Sequence, residues 1–252
     1  MRSFFELYKK EIRSIAFFLL VSVLIIFAWE MFLLYKSRAW PRGVAFGLSF
    51  LPLSFLPLIM LWQGYQSYRK EWKNKTVYMM MSLPRAGWQI GLSKFAASLT
   101  YFLAVFFITV IMIIFVNIND SSVLSMLPSY ITPQYIYKSG FLAGIAYILF
   151  SMMPYILSQF SSLISRFYSR FRGLISIVVF VLSNYLVYRI ASFIAPIFNW
   201  VPNIPIEGFS DTMGQVNVHT IYINSAPLIT LFIMYIVVFY IGSLIFEKYL
   251  EV

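Results

Sequence analysis

Six apolar runs recur along the chain, each about as long as a membrane is thick, and between them charge and proline concentrate. A helix needs about 20 apolar residues to cross roughly 30 Å of hydrocarbon. Residues 14–35, 44–66, 93–116, 139–163, 173–193 and 226–246 meet that length. The pattern predicts an all-α integral membrane protein of six transmembrane helices, with residues 1–252 forming a single membrane domain. The first run, IAFFLLVSVLIIFAW, has no A-x-A site behind it and reads as a retained span rather than a signal peptide. Pro52 and Pro57 in the second run and Pro154 in the fourth remove backbone donors. They predict kinks whose freed carbonyls neighbouring groups satisfy.

Ahead of the first run the period changes. In RSFFELYKKEIRSI, Phe4, Leu7, Tyr8, Ile12 and Ile15 share one face at 100° per residue. Arg2, Glu6, Lys9, Lys10 and Arg13 take the opposite face, and Glu11 alone breaks the division. Residues 1–13 are therefore expected to form an interfacial elbow helix, apolar side in lipid and basic side toward headgroups. A plain cytoplasmic extension of the first span is the alternative.

Composition sharpens the class. The chain is 61% apolar, 20% aromatic and 11% charged, where soluble domains are about 45–50% apolar and about 25% charged. A net charge of +10 reads here as Lys and Arg flanking the spans rather than as nucleic-acid binding. Fourteen of the 19 Lys and Arg residues fall on one face, before span 1, between spans 2 and 3, between spans 4 and 5, and after span 6. The positive-inside rule then puts both termini in the cytoplasm and residues 194–225 outside. The loop KSRAWPR at 36–42 opposes this with Lys36, Arg38 and Arg42, whose long side chains can snorkel to phosphates. Residues 194–225 carry no Lys or Arg and three prolines, and are expected to form short interfacial helices or a packed cap.

Little here resembles an active site. With no cysteine and one histidine (His219), the chain has no thiolate nucleophile and no basis for a multi-histidine metal site. An intramembrane enzyme or an ion-coupled transporter uses ionisable groups at depth. The spans hold almost none: Glu30 and Arg189 lie near outer ends, and Lys94 stands at the very start of the third run; Glu30 reads as an interfacial carboxylate. GWQIGLSK at 87–94 lacks the G-x-x-x-x-G-K-[ST] spacing of a phosphate loop. The chain is expected to be no enzyme and to hold no cofactor, so any ATP must be hydrolysed by another subunit.

The segment 68–92 stands apart. RKEWKNKTVYMMMSLPRAGW at 69–88 is too basic for lipid and too long for a turn. Its first part, through Met81, can continue the helix of span 2, and Pro84 turns the chain at Leu83. Val77, Tyr78, Met79, Met80 and Met81 give an adaptable apolar surface suited to an irregular groove. Two uses fit equally: docking into a cytoplasmic partner, or lying on lipid with the basic residues on headgroups.

Glu71, Thr76, Leu83-Pro84-Arg85 and Lys94 form the pattern E-x4-T-x6-L-P-R-x8-K between spans 2 and 3. With the six-span order, this resembles the permease subunit of ABC-2 type exporters, the type V ABC transporter fold. The resemblance covers the whole chain in topology. It implies a bacterial cell-membrane protein that moves a hydrophobic or amphipathic cargo, such as an antimicrobial peptide, lipid or drug, out of the cell. It further implies a separate ABC ATPase subunit holding ATP and Mg, and a second permease copy or a related permease. In this family the segment after span 2 holds the coupling helix. The implied ATPase-facing residues are Glu71, Thr76, Val77, Met79, Met80 and Met81, with Leu83, Pro84 and Arg85 at the turn. The family also implies short re-entrant helices between spans 5 and 6. Asn184 in span 5 is either a substrate contact or an interhelical hydrogen bond. An energy-coupling subunit of a vitamin importer, faintly echoed by SRFYSRFRG at 165–173, and a non-transport membrane scaffold are the other readings.

Overall fold

The computed structural model describes residues 2–37, 39–76, 86–117, 133–168, 170–212 and 215–248. Six helical stretches are long and apolar enough to cross a membrane: Phe4–Lys36, Gly43–Lys73, Gly87–Phe115, Lys138–Phe167, Arg172–Phe198 and Ala226–Lys248. They are built from α1 (Arg2–Lys36), α2 (Arg42–Ser49), α3 (Leu51–Lys73), α4 (Gly87–Asn117), α5 (Pro133–Ile164), α6 (Arg172–Ile194) and α7 (Ala226–Lys248). Their apolar side chains point both ways. Leu56, Met60, Phe102 and Tyr155 are fully buried between helices, while Phe17 and Phe193 are 77% and 85% exposed on the outside. An outer surface of that kind belongs against hydrocarbon.

The hydropathy runs stop short of the helices at the basic end of the bundle, the end that carries Lys9, Lys70 and Lys94. Span 2 continues to Lys73, and span 3 begins at Gly87. Span 2 is also two helices. Pro52 stands at the start of α3, and the break falls at Phe50. In an uninterrupted helix the Pro52 nitrogen would donate to the Leu48 carbonyl; here the Trp29 indole N–H donates to that oxygen at 3.2 Å. Pro57, inside α3, frees the Leu53 carbonyl in the same way, and the Tyr147 hydroxyl of α5 donates to it. The expectation that neighbours satisfy the proline-freed carbonyls holds at both positions.

Three expectations are corrected. First, no separate elbow exists: α1 is a single helix from Arg2 to Lys36. Part of its amphipathic start packs on the bundle. Leu7 and Ile15 lie against buried clusters, and the Tyr8 hydroxyl meets Thr100 of α4 at 2.8 Å. Second, the fold is not all-α. Ile204–Thr212 (β1) and Gln215–Ile223 (β2) form an antiparallel hairpin in register from Ile204↔Ile223 to Thr212↔Gln215, where short or re-entrant helices are expected. Val216, Val218, Thr220, Ile221, Tyr222 and Ile223 are residues that favour a pleated surface over a helix. Third, Glu30 is no interfacial carboxylate: it is 1% exposed. It lies beside Ser49, but the Ser49 hydroxyl donates to the Ala45 carbonyl at 3.2 Å. Neither Glu30 oxygen has a hydrogen-bond partner.

Candidate functional site

Helix α3 ends where its own backbone closes it. Lys75 adopts a left-handed φ of 56°. Its N–H donates to the Trp72 carbonyl at 3.2 Å, and the Thr76 N–H donates to the Glu71 carbonyl at 3.0 Å. That pair of bonds is a Schellman stop, which satisfies carbonyls otherwise orphaned at a helix end. The helix expected to run through Met81 therefore terminates at Lys73. The asparagine and lysine that follow accept the terminating geometry in the place where glycine is commoner.

The stop leaves Glu71 facing inward, 8% exposed. Its Oε1 accepts from Lys94 Nζ of α4 at 2.9 Å, and its Oε2 accepts from the Thr76 hydroxyl. Lys94 also donates to Glu11 Oε1 of α1 at 2.7 Å, and Lys10 Nζ lies 3.5 Å from Glu71 Oε1. Two lysines thus face two carboxylates, a balanced quartet. Lys94 is its centre: it is 3% exposed, with Nζ 5.8 Å from the Tyr68 ring centroid. A buried ammonium persists only where carboxylates replace its water. The quartet ties the basic ends of α1, α3 and α4 into one unit.

Beside it lies a cavity of about 170 Å³, which runs from Asn74 and Thr76 inward past Ser14, Ser67 and Ser98 to Gln63 and Tyr155. The Gln63 amide and the Tyr155 hydroxyl are buried there without a hydrogen-bond partner. Past the undescribed residues 77–85 the chain is pinned again. The Gly87 N–H, at the start of α4, donates to Glu247 Oε2 of α7 at 2.9 Å. A carboxylate at a helix N-terminus satisfies a free donor and suits the helix dipole. A Cβ at Gly87 would lie 2.6 Å from the Ser243 carbonyl oxygen, so only glycine permits the approach.

Of the residues singled out in the sequence, Glu71, Thr76 and Lys94 meet in space, although Lys94 lies 23 positions from Glu71. Glu71 is turned toward Lys94 and is buried. Val77, Met79, Met80, Met81, Leu83, Pro84 and Arg85 lie outside the described residues. Asn184 sits half-buried on α6, away from the quartet. Glu11, Lys10, Gln63 and Glu247 belong to no motif in the sequence. Glu11 does carry a signal: it is the one charge on the apolar face of residues 4–15, and that face packs inward. Among the described residues no group of three His, Asp or Glu side chains is arranged to hold a metal.

Comparison with protein-family models, with curated proteins and with solved structures gave no match for this chain.

Proposed function

We propose that the chain is the membrane-spanning subunit of an ATP-driven exporter of the ABC-2 kind. In this reading both termini are cytoplasmic, a second permease copy or a related permease completes the path, and a separate subunit binds ATP and Mg and supplies the energy. What supports it is the meeting of Glu71, Thr76 and Lys94, the residues on which the resemblance rests, in one buried cluster. Glu71 and Thr76 then act as positioning residues that hold the start of the segment 77–85. Val77 and Met79 to Met81 provide the contact surface. The segment leaves α3 beside α1 and α4, and re-enters at Gly87 beside α7. A displacement imposed on it by an ATPase subunit is passed to four helices at once. The apolar outer faces suit a hydrophobic or amphipathic cargo drawn from the bilayer.

The test is a triple substitution, Met79→Ser with Met80→Ser and Met81→Ser. Truncating buried interface anchors costs about 2 kcal/mol or more, whereas rim charges mainly alter association rate. The triple variant is expected to fold in detergent yet lose the ATPase subunit on affinity purification, while Lys73→Ala keeps it. If the triple variant retains the ATPase, the segment is a lipid-lying helix and the coupling role falls away.

A further inference from the structure

A second feature of the basic end concerns lipid and does not depend on the exporter reading. Helices α3, α5 and α6 leave between them a groove of about 610 Å³. Leu61, Trp62, Ile177, Phe180 and Val181 make its walls apolar, and Arg69 closes its basic end. The Arg69 guanidinium donates to the Tyr65 hydroxyl at 2.8 Å and stands over the same ring. Arg166 lies 4.8 Å from the Trp72 ring centroid and within electrostatic range of both Arg69 and Arg172. Arg172 donates from Nε to the Tyr168 carbonyl at 3.0 Å. Among the described residues no carboxylate pairs with any of the three, because every ion pair there belongs to Lys10 or Lys94.

The level of this cluster is fixed by its neighbours. Phe167, Tyr168 and Phe171 are exposed along the same connection, and exposed aromatic rings beside arginines belong at the membrane–water interface. Phe171 holds a left-handed φ of 57° immediately before α6, which turns its ring outward, 78% exposed. Three guanidiniums at headgroup depth, mutually repelling and without a carboxylate partner among the described residues, call for phosphate, which guanidinium binds through paired hydrogen bonds. An apolar groove that Arg69 lines, and that reaches Gly173 next to Arg172, calls for an acyl chain.

We propose that this groove is a binding site for an anionic phospholipid, its phosphate on Arg69, Arg166 and Arg172 and one acyl chain along Trp62, Ile177 and Phe180. The uncompensated charge favours an anionic over a zwitterionic headgroup. The groove favours a lipid over free phosphate.

The full chain is purified in mild detergent, and lipid retention is read by native mass spectrometry with phosphatidylglycerol and phosphatidylcholine offered in equal amounts. Wild type is expected to retain phosphatidylglycerol about tenfold over phosphatidylcholine, as a charge-assisted contact implies. Changing Arg69, Arg166 and Arg172 together to Gln should remove that preference. Changing Lys9, Arg13 and Lys248 to Gln, the same loss of charge elsewhere, should leave it. Gly173→Leu adds a side chain toward the groove, where a Cβ finds only the Tyr65 hydroxyl at 4.0 Å; it should weaken retention with every arginine in place. If the arginine triple variant misfolds, the exposed single variants Arg69→Gln and Arg172→Gln carry the comparison. Equal retention of both lipids, or an unchanged preference in the arginine variants, overturns the site. If inorganic phosphate displaces the lipid completely and Gly173→Leu has no effect, the cluster binds free phosphate and the lipid assignment fails. If the variants keep the lipid but release an ATPase subunit, the arginines form a protein face, and the assignment fails too.

Discussion

Lys94 is the residue on which most of the site depends. It carries two ion pairs at 2.7 and 2.9 Å from a position 3% exposed. Removing one partner of a buried pair costs about 3–5 kcal/mol, because the other charge stays behind. Lys94→Met leaves Glu11 and Glu71 facing each other and is expected to lower the unfolding temperature in detergent markedly. Glu71→Gln keeps the Glu11 pair and should cost less. Adding Glu11→Gln to Lys94→Met should recover part of the loss, as thermal unfolding followed by tryptophan fluorescence will read. A Lys94→Met protein as stable as wild type would mean that the quartet does not hold the helices together. At this scale the sequence was partly legible. Glu71, Thr76 and Lys94 could be picked out through the motif on which the resemblance rests, and Glu11 by being a charge on an apolar face. Glu30 could not: a carboxylate near the end of an apolar run looks interfacial until α2 folds back over it.

The helices themselves were readable from hydropathy because lipid forces every span to satisfy its backbone internally. Their ends were not, since a helix leaving the hydrocarbon is stopped by local capping and not by polarity. Lys75, in a left-handed conformation, carries no compositional mark of the stop it makes. The hairpin Ile204–Ile223 was hidden by prolines and by a resemblance that expected helices, although its second strand is rich in β-branched residues. Proline rescue is where element geometry makes a sharp prediction. Tyr147→Phe removes the donor to the Leu53 carbonyl, and an unpaired buried acceptor costs about 1–3 kcal/mol. Pro57→Ala restores a backbone N–H that can donate to that carbonyl, so in its presence Tyr147→Phe should cost little. A double-mutant cycle on unfolding temperature measures the difference. Additive effects would mean that the hydroxyl and the proline are unrelated.

For the molecule as a whole, the charge count predicts an orientation that the bundle alone does not set. Because the chain has no cysteine of its own, single cysteines report cleanly. Asp211→Cys should react with an impermeant maleimide on intact cells, and Lys9→Cys only after permeabilisation. The reverse pattern would invert the topology and put the Glu71–Lys94 quartet out of reach of ATP. Both positions matter to the central claim, that an ATP-hydrolysing subunit works on this chain through residues 77–85. The most direct measurement is site-specific photo-cross-linking in membranes of the native host, with a benzophenone amino acid at position 80 and, as control, at the lipid-facing Leu58, 60% exposed. The account predicts an adduct at position 80 whose second component, identified by mass spectrometry, is an ATP-binding protein, and no such adduct at position 58. Cross-links at position 80 only to lipid, or to the chain itself, would contradict it.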